Sequence, residues 1–313
     1  MTQTVHRPGT IPLTGAQYEI AAGGYQAVAT ELGAGLRELR YGGHPVIAGY
    51  QPGELPPGAA GQLLVPWPNR IDGGRYTVAG TEYQLDLSEP KAGNAIHGLG
   101  RWATWRAVRH DRDTVRLRHL LLGRAGYPYC LQIEVEYRLG DGTGLQVSVT
   151  AANVGTQPAP YGTGSHPYLT TGAGTVDACE LTLPVTHWLP VDQRGIPAGP
   201  VQDVAGGALD FRAARPVGAT RLDHAFTGLG RDEAGRAWAR LASGAAEVAL
   251  WAGPGYRWLQ VFTGDTLDAT HRRRAVAIEP MTCPPNAFAS GTDVIMLAPG
   301  EEVTHTWGIQ VTS

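Results

Sequence analysis

The chain has 313 residues, 42% hydrophobic and 17% charged, which suits a globular protein of one large domain or two ordinary ones and excludes a disordered chain. Its net charge of -3 leaves no basic footprint for nucleic acid or an anionic membrane, and no stretch reaches the ~20 apolar residues needed to span a bilayer. The cysteines Cys130, Cys179 and Cys283 are odd in number, far apart and in no CxxC pattern, which argues against a disulfide framework and a zinc site.

In chain order, residues 1–12 carry no apolar signal core, which points to a reducing cytoplasm. Residues 51–61 are rich in Pro and Gly, but apolar segments on both sides read as one continuing sheet, so a single domain over residues 1–313 is expected. Residues 75–85 alternate in polarity around Ala79-Gly80 and predict a hairpin. A longer one follows. Leu131, Ile133, Val135, Tyr137 and Leu139 alternate with polar residues, Asp141-Gly142-Thr143-Gly144 makes the turn, and Leu145, Val147, Val149 and Ala151 resume the alternation. Near the C-terminus Val303, His305, Trp307, Ile309 and Val311 share one strand face. No apolar stripe of helical period lasts beyond two turns, and 43 Gly with 23 Pro interrupt the chain too often for long helices. An all-β, mostly antiparallel sandwich or barrel is expected.

Four segments join polar side chains to tight turns. In Pro66-Trp67-Pro68-Asn69-Arg70-Ile71, the planar fork of Arg70 can bind paired hydroxyls or a carboxylate, or it is a surface loop arginine. In Asn94-Ala95-Ile96-His97-Gly98-Leu99-Gly100, the glycines let a ligand approach His97, or His97 only braces a turn. In Gly162-Thr163-Gly164-Ser165-His166-Pro167-Tyr168, neighbouring side chains on a strand point to opposite faces, so Ser165 is no nucleophile for His166. In Ala275-Val276-Ala277-Ile278-Glu279-Pro280, Glu279 ends an apolar run. A desolvated carboxylate has a raised pKa and suits a general base, whereas one at an exposed strand end does not. Two further segments matter less. Asp223 precedes His224, and Gln260 lies inside the apolar run from Leu259 to Phe262, where a buried amide needs a partner. The run Arg272-Arg273-Arg274 reads as a solvated loop.

Together and in this order, the motifs Asn-Arg-Ile, Asn-x-x-His-Gly, His-x-Tyr, Asp-His-x-Phe, Leu-Gln-x-aromatic-Thr-Gly and Glu-Pro resemble those of the aldose 1-epimerase, or galactose mutarotase-like, family. The likeness runs from the segment Gly24 to Ala34, similar to the family's N-terminal strand pair, to Pro299-Gly300-Glu301. It implies a β-supersandwich with an open sugar cleft. It further implies Glu279 as general base, His166 as general acid, His97 at the ring oxygen, and Asn69, Arg70, Asp223 and Gln260 as sugar contacts. The sequence departs from the family after the second histidine, where His166-Pro167-Tyr168-Leu169-Thr170 replaces the common Phe-Asn-Leu continuation. That places the substrate in question and resembles the bacterial branch that includes sulfoquinovose mutarotases.

Mutarotation transfers protons only, so neither cofactor nor metal is expected, and the partner is a monosaccharide acted on by a monomer or homodimer. Two other readings compete. A non-catalytic carbohydrate-binding protein need not keep Glu279 with two histidines. A glycoside hydrolase using Asp223 and Glu279 as its carboxylate pair would leave both histidine motifs unexplained.

Overall fold

A computed structural model of the chain describes residues 11–312. Residues 1–10, most of the segment read for a signal core, and residue 313 lie outside the described residues. Among the described residues the largest sheets have nine and eight strands. The larger runs through Thr114–Leu121, Leu131–Gly140, Gly144–Asn153, Glu302–Thr312, Ala246–Ala252 and Ala237–Ser243 as successive neighbours. The smaller runs through Asp223–Thr227, Trp258–Phe262, Val276–Met281, Gly164–Ser165 and Leu63–Leu64. All these pairings are antiparallel. The α-helical content of the described residues is the single turn Ala287–Ser290, and no helix is long and apolar enough to cross a membrane.

The alternation in the sequence sets this architecture. The long hairpin pairs without a break from Leu131↔Asn153 to Gly140↔Gly144. Ile133, Val135, Val147 and Val149 are buried, while Glu134, Glu136 and Ser148 lie on the outer face. There Arg116 pairs with Glu136 and Arg118 with Glu134, exposed ion pairs that contribute little to stability. The hairpin at Ala79-Gly80 forms as expected, between Arg75–Val78 and Thr81–Gln84.

The eight-stranded sheet differs because both of its faces are covered. Leu259, Val261, Val276 and Ile278 point into the core shared with the nine-stranded sheet. The intervening Gln260, Ala277 and Glu279 are equally buried on the opposite face, and that face carries the site. Two expectations need correction here. Glu279 does not end its strand, because pairing continues through Leu259↔Pro280 and Trp258↔Met281. The arginine run is not wholly solvated. Arg273 has φ 53°, is 15% exposed and pairs with Asp177 at 2.6 Å and Asp265 at 2.8 Å. A left-handed residue turns its side chain away from the course set by its neighbours, a break that composition does not report.

Candidate active site

The covered face of the eight-stranded sheet opens into a cleft of about 400 Å³, in the range of small-ligand sites. All seven residues singled out in the sequence line it: Asn69, Arg70, His97, His166, Asp223, Gln260 and Glu279. They come from six separated stretches of chain, brought together by strand pairing. Gln260 lies directly opposite Glu279 on one neighbouring strand and opposite Ala225 on the other. Asp223 reaches Gln260 from two residues along, accepting a bond from its Nε2 at 2.6 Å.

The carboxylate and the imidazole form a pair. His166 Nε2 lies 3.2 Å from Glu279 Oε1, and their side chains are 6% and 2% exposed. Burial pushes the Glu279 carboxyl well above the usual range, helped by the charge of Asp223 and opposed by Arg70. Burial pushes His166 down to about 3. Each charge is therefore disfavoured alone, and a single proton shared across the pair satisfies both groups. Glu279 Oε2, Gln260 Oε1 and His166 Nδ1 are buried and have no hydrogen-bond partner among the described residues. Orphaned polar atoms are costly in a closed core, whereas on a cleft wall they are available to a ligand.

His97 is held differently. Both His97 (φ 60°) and Asn69 (φ 55°) adopt left-handed backbone conformations, which cost free energy in residues with a Cβ. They hold each other there: the His97 N–H donates to the Asn69 carbonyl at 2.9 Å, and the Asn69 N–H donates to His97 Nδ1 at 3.2 Å. With Nδ1 an acceptor, the proton of the neutral ring lies on Nε2. Burial keeps that ring neutral, with His166 and Arg101 adding to the effect. Gly98 completes the turn at φ 70°, where a Cβ would stand 2.0 Å from the Val65 carbonyl oxygen. The glycine beside His97 thus admits the protein's own backbone rather than a ligand.

Several cleft residues escaped the sequence reading. Glu89 grips the Arg70 guanidinium with two bonds of 2.8 and 2.9 Å and accepts a third from Asn94 Nδ2 at 3.1 Å. Tyr168 stacks on the His166 ring at 5.0 Å between centroids and anchors its hydroxyl on the Gly58 carbonyl at 3.0 Å. Its position two residues after His166 was a usable signal, since such residues share a face in extended chain. Arg101 lines the cleft with no carboxylate within ion-pair distance among the described residues, and burial lowers its pKa. Its loop is pinned by the Gln62 amide, which donates to the Arg101 carbonyl at 2.9 Å. Among the described residues no group of three or more His, Cys, Asp or Glu side chains could hold a metal ion.

A family model described as aldose 1-epimerase matches residues 16–310. The chain belongs to the aldose 1-epimerase family. It is 37% identical to the uncharacterized protein YihR of Escherichia coli K12, over 92% of this chain and 91% of that one. It is 31% identical to galactose mutarotase of Rattus norvegicus, over 76% of this chain and 74% of the relative. The crystal structure of the GalM/aldose epimerase homologue from C. elegans superposes with a TM-score of 0.84 at 19% identity, covering 95% of this chain and 98% of that one. This likeness establishes the galactose mutarotase-like β fold. At family level the aldose 1-epimerase is a sugar mutarotase, an isomerase.

Proposed function

We propose that this epimerase interconverts the α and β anomers of an aldohexose or a related sugar by opening and reclosing the cyclic hemiacetal, with Glu279 as base and His166 as acid. The observation that carries the reading is the buried pair itself: Glu279 Oε1 is 3.2 Å from His166 Nε2, while Oε2 lies without a partner on the cleft wall. Ring opening requires a base at the anomeric hydroxyl and an acid at the ring oxygen, acting together. Glu279 Oε2 takes the O1 proton, and the O–H electron pair becomes the second bond of the aldehyde. The C1–O5 bond breaks, its electrons go to O5, and O5 takes the proton of His166 Nε2. Rotation about C1–C2 and the reverse transfers give the other anomer. The pair begins and ends with one proton, so it needs no resetting step. His97 Nε2–H donates to the ring oxygen side, and Asn69, Arg70, Asp223 and Gln260 hold hydroxyls.

Arg101 favours one refinement of the substrate. Its charge acts on both His97 and His166, the two groups assigned to the ring oxygen, and the C6 substituent of a pyranose lies beside that oxygen. A guanidinium with no ion-pair partner among the described residues, and only the more distant charge of Glu89 acting on it, suits a sugar bearing an anion at C6, such as sulfoquinovose. The competing carbohydrate-binding and glycosidase readings leave the shared proton of His166 and Glu279 without a task. The test is exchange-spectroscopy NMR of anomer interconversion across glucose, galactose, their 6-phosphates and sulfoquinovose, beside a chromogenic glycoside assay. Cleavage of a glycoside without anomer exchange would overturn the mutarotase reading. A neutral hexose outperforming every anionic one would remove the role given to Arg101.

A further inference from the structure

Arg273 lies outside the sugar cleft and bridges two loops that end on it. Residues 263–275 join the strand Trp258–Phe262 to the strand Val276–Met281, and their Thr266 and Leu267 line the cleft. Residues 217–222 lead into the strand Asp223–Thr227, which opens with Asp223 in the cleft wall. The guanidinium bonds to both loops. Nη1 donates to Asp265 Oδ1 at 2.8 Å and to the Thr220 carbonyl at 3.1 Å, and Nη2 donates to the Gly218 carbonyl at 2.7 Å. Nε donates to Asp177 Oδ1 at 2.6 Å. A planar fork can meet acceptors in these separate directions, whereas a lysine offers one charged nitrogen. The bonds also hold Arg273 at φ 53°, a conformation that persists only where its surroundings over-determine it.

Asp265 carries the hold to the cleft. Its Oδ2 accepts from Thr263 Oγ1, and Thr263 Oγ1 accepts from the Leu222 N–H at 2.9 Å. The Thr263 N–H donates to the Leu222 carbonyl at 3.0 Å. Both main-chain polar groups of Leu222 are thereby fixed, and Thr263 and Leu222 are buried. Asp223 follows directly. It is an exposed residue whose side chain bonds only to Gln260 among the described residues, so the backbone before it decides where its carboxylate stands. That carboxylate fixes the Gln260 amide opposite Glu279, and its charge acts on Glu279.

We propose that Arg273 is a positioning residue for sugar binding: through Asp265, Thr263 and Leu222 it holds the Asp223 carboxylate in place for a sugar hydroxyl. The inference takes from the mutarotase reading only the placement of Asp223 at the sugar. It is independent of which groups move protons.

The experiment combines Arg273→Met and Arg273→Lys with Asp223→Ala, with glucose and sulfoquinovose as probes. KM and kcat come from exchange spectroscopy, Kd from NMR titration of the sugar, and folding from the thermal unfolding midpoint. Arg273→Met should raise KM and Kd by about tenfold, near the worth of one charge-assisted hydrogen bond, with a smaller change in kcat. Arg273→Lys should recover part of that loss. In the Asp223→Ala background, Arg273→Met should add nothing, because the contact it serves is already gone. A loss of the same factor in both backgrounds would make Arg273 only structural and overturn the inference, as would unchanged KM and Kd in Arg273→Met. Should Arg273→Met not fold, Thr263→Val breaks the same relay one step nearer Asp223 and is held to the same outcomes. A wild type that binds sugar without exchanging its anomers would overturn the mutarotase reading, and the Kd values of the same variants would still decide the role of Arg273.

Discussion

His166 and His305 are both buried imidazoles, each with one ring nitrogen lacking a partner, and burial lowers the pKa of each, to about 3 and about 4. By burial and unsatisfied polarity alone they are equivalent. Their neighbours separate them. His305 is packed against the rings of Tyr161 and Tyr256; among the described residues their hydroxyls are themselves unpartnered and no carboxylate lies within ion-pair distance of the imidazole. His166 faces Glu279 across 3.2 Å on the wall of an open cleft. A buried histidine becomes a candidate acid when a second titratable group shares its proton and a cavity brings substrate to both.

The largest effect is expected at Glu279. Glu279→Gln keeps the shape but cannot accept the O1 proton, so kcat/KM should fall by roughly 10²–10⁴-fold while the thermal unfolding midpoint is kept and sugar still binds. Anomer exchange near the wild-type rate would erase the difference between the two histidines at its source. His166→Ala should come next, lowering kcat by about 10²-fold or more with a small change in KM. Loss of binding with kcat intact would reduce His166 to a contact residue.

The shared proton also sets the pH profile. Because burial pushes His166 down, a second proton joins the pair only far below the ordinary imidazole value near 6.5, toward about 3. The pair should hold its one active proton through neutral and mildly acidic pH, so kcat/KM should stay level as pH falls through 6.5. An alkaline limb should mark loss of that proton, displaced upward from the carboxylate range because burial raises Glu279. A rate that climbs steadily as pH drops from 8 to 6 would mean that His166 titrates as a free imidazole.

A smaller effect is expected at Glu89, which never joins the chemistry. Glu89→Gln breaks the two-bond grip on Arg70, so KM should rise by about tenfold with kcat little changed, read from saturation curves of anomer exchange. A fall in kcat equal to the loss in kcat/KM would instead place the Arg70–Glu89 pair in the transition state.

How much of this was legible in the sequence follows from where the determining contacts lie. The hairpin at residues 131–153 could be read because alternation is local and its turn is written in glycines. Glu279 stood out because a carboxylate in a continuous apolar run has no other obvious place. Glu89 and Arg101 could not be found this way. Glu89 becomes part of the site by meeting Arg70, and Arg101 by its carbonyl being held by Gln62, 39 residues earlier. Arg273 was misread because its two carboxylates, Asp177 and Asp265, are not visible from the arginine run.

The smallest change in activity is expected at His305, and it tests the comparison from the other side. His305→Phe fills the same slot between the tyrosines and removes a titrating group, so anomer exchange at neutral pH should match the wild type. Its effect should be on acid stability. The unfolded chain protonates this histidine below about 6.5, while the folded chain resists until about 4, so the wild type loses stability as pH falls between those values. The full shift corresponds to about 3 kcal/mol, and the other buried histidines add their own share. Urea midpoints at pH 7 and pH 4.5 should therefore lie closer together in His305→Phe than in the wild type. An unchanged gap would show that His305 is already solvated when folded. A large loss of anomer exchange would show that the proton chemistry reaches beyond the cleft and that the two histidines are not separable.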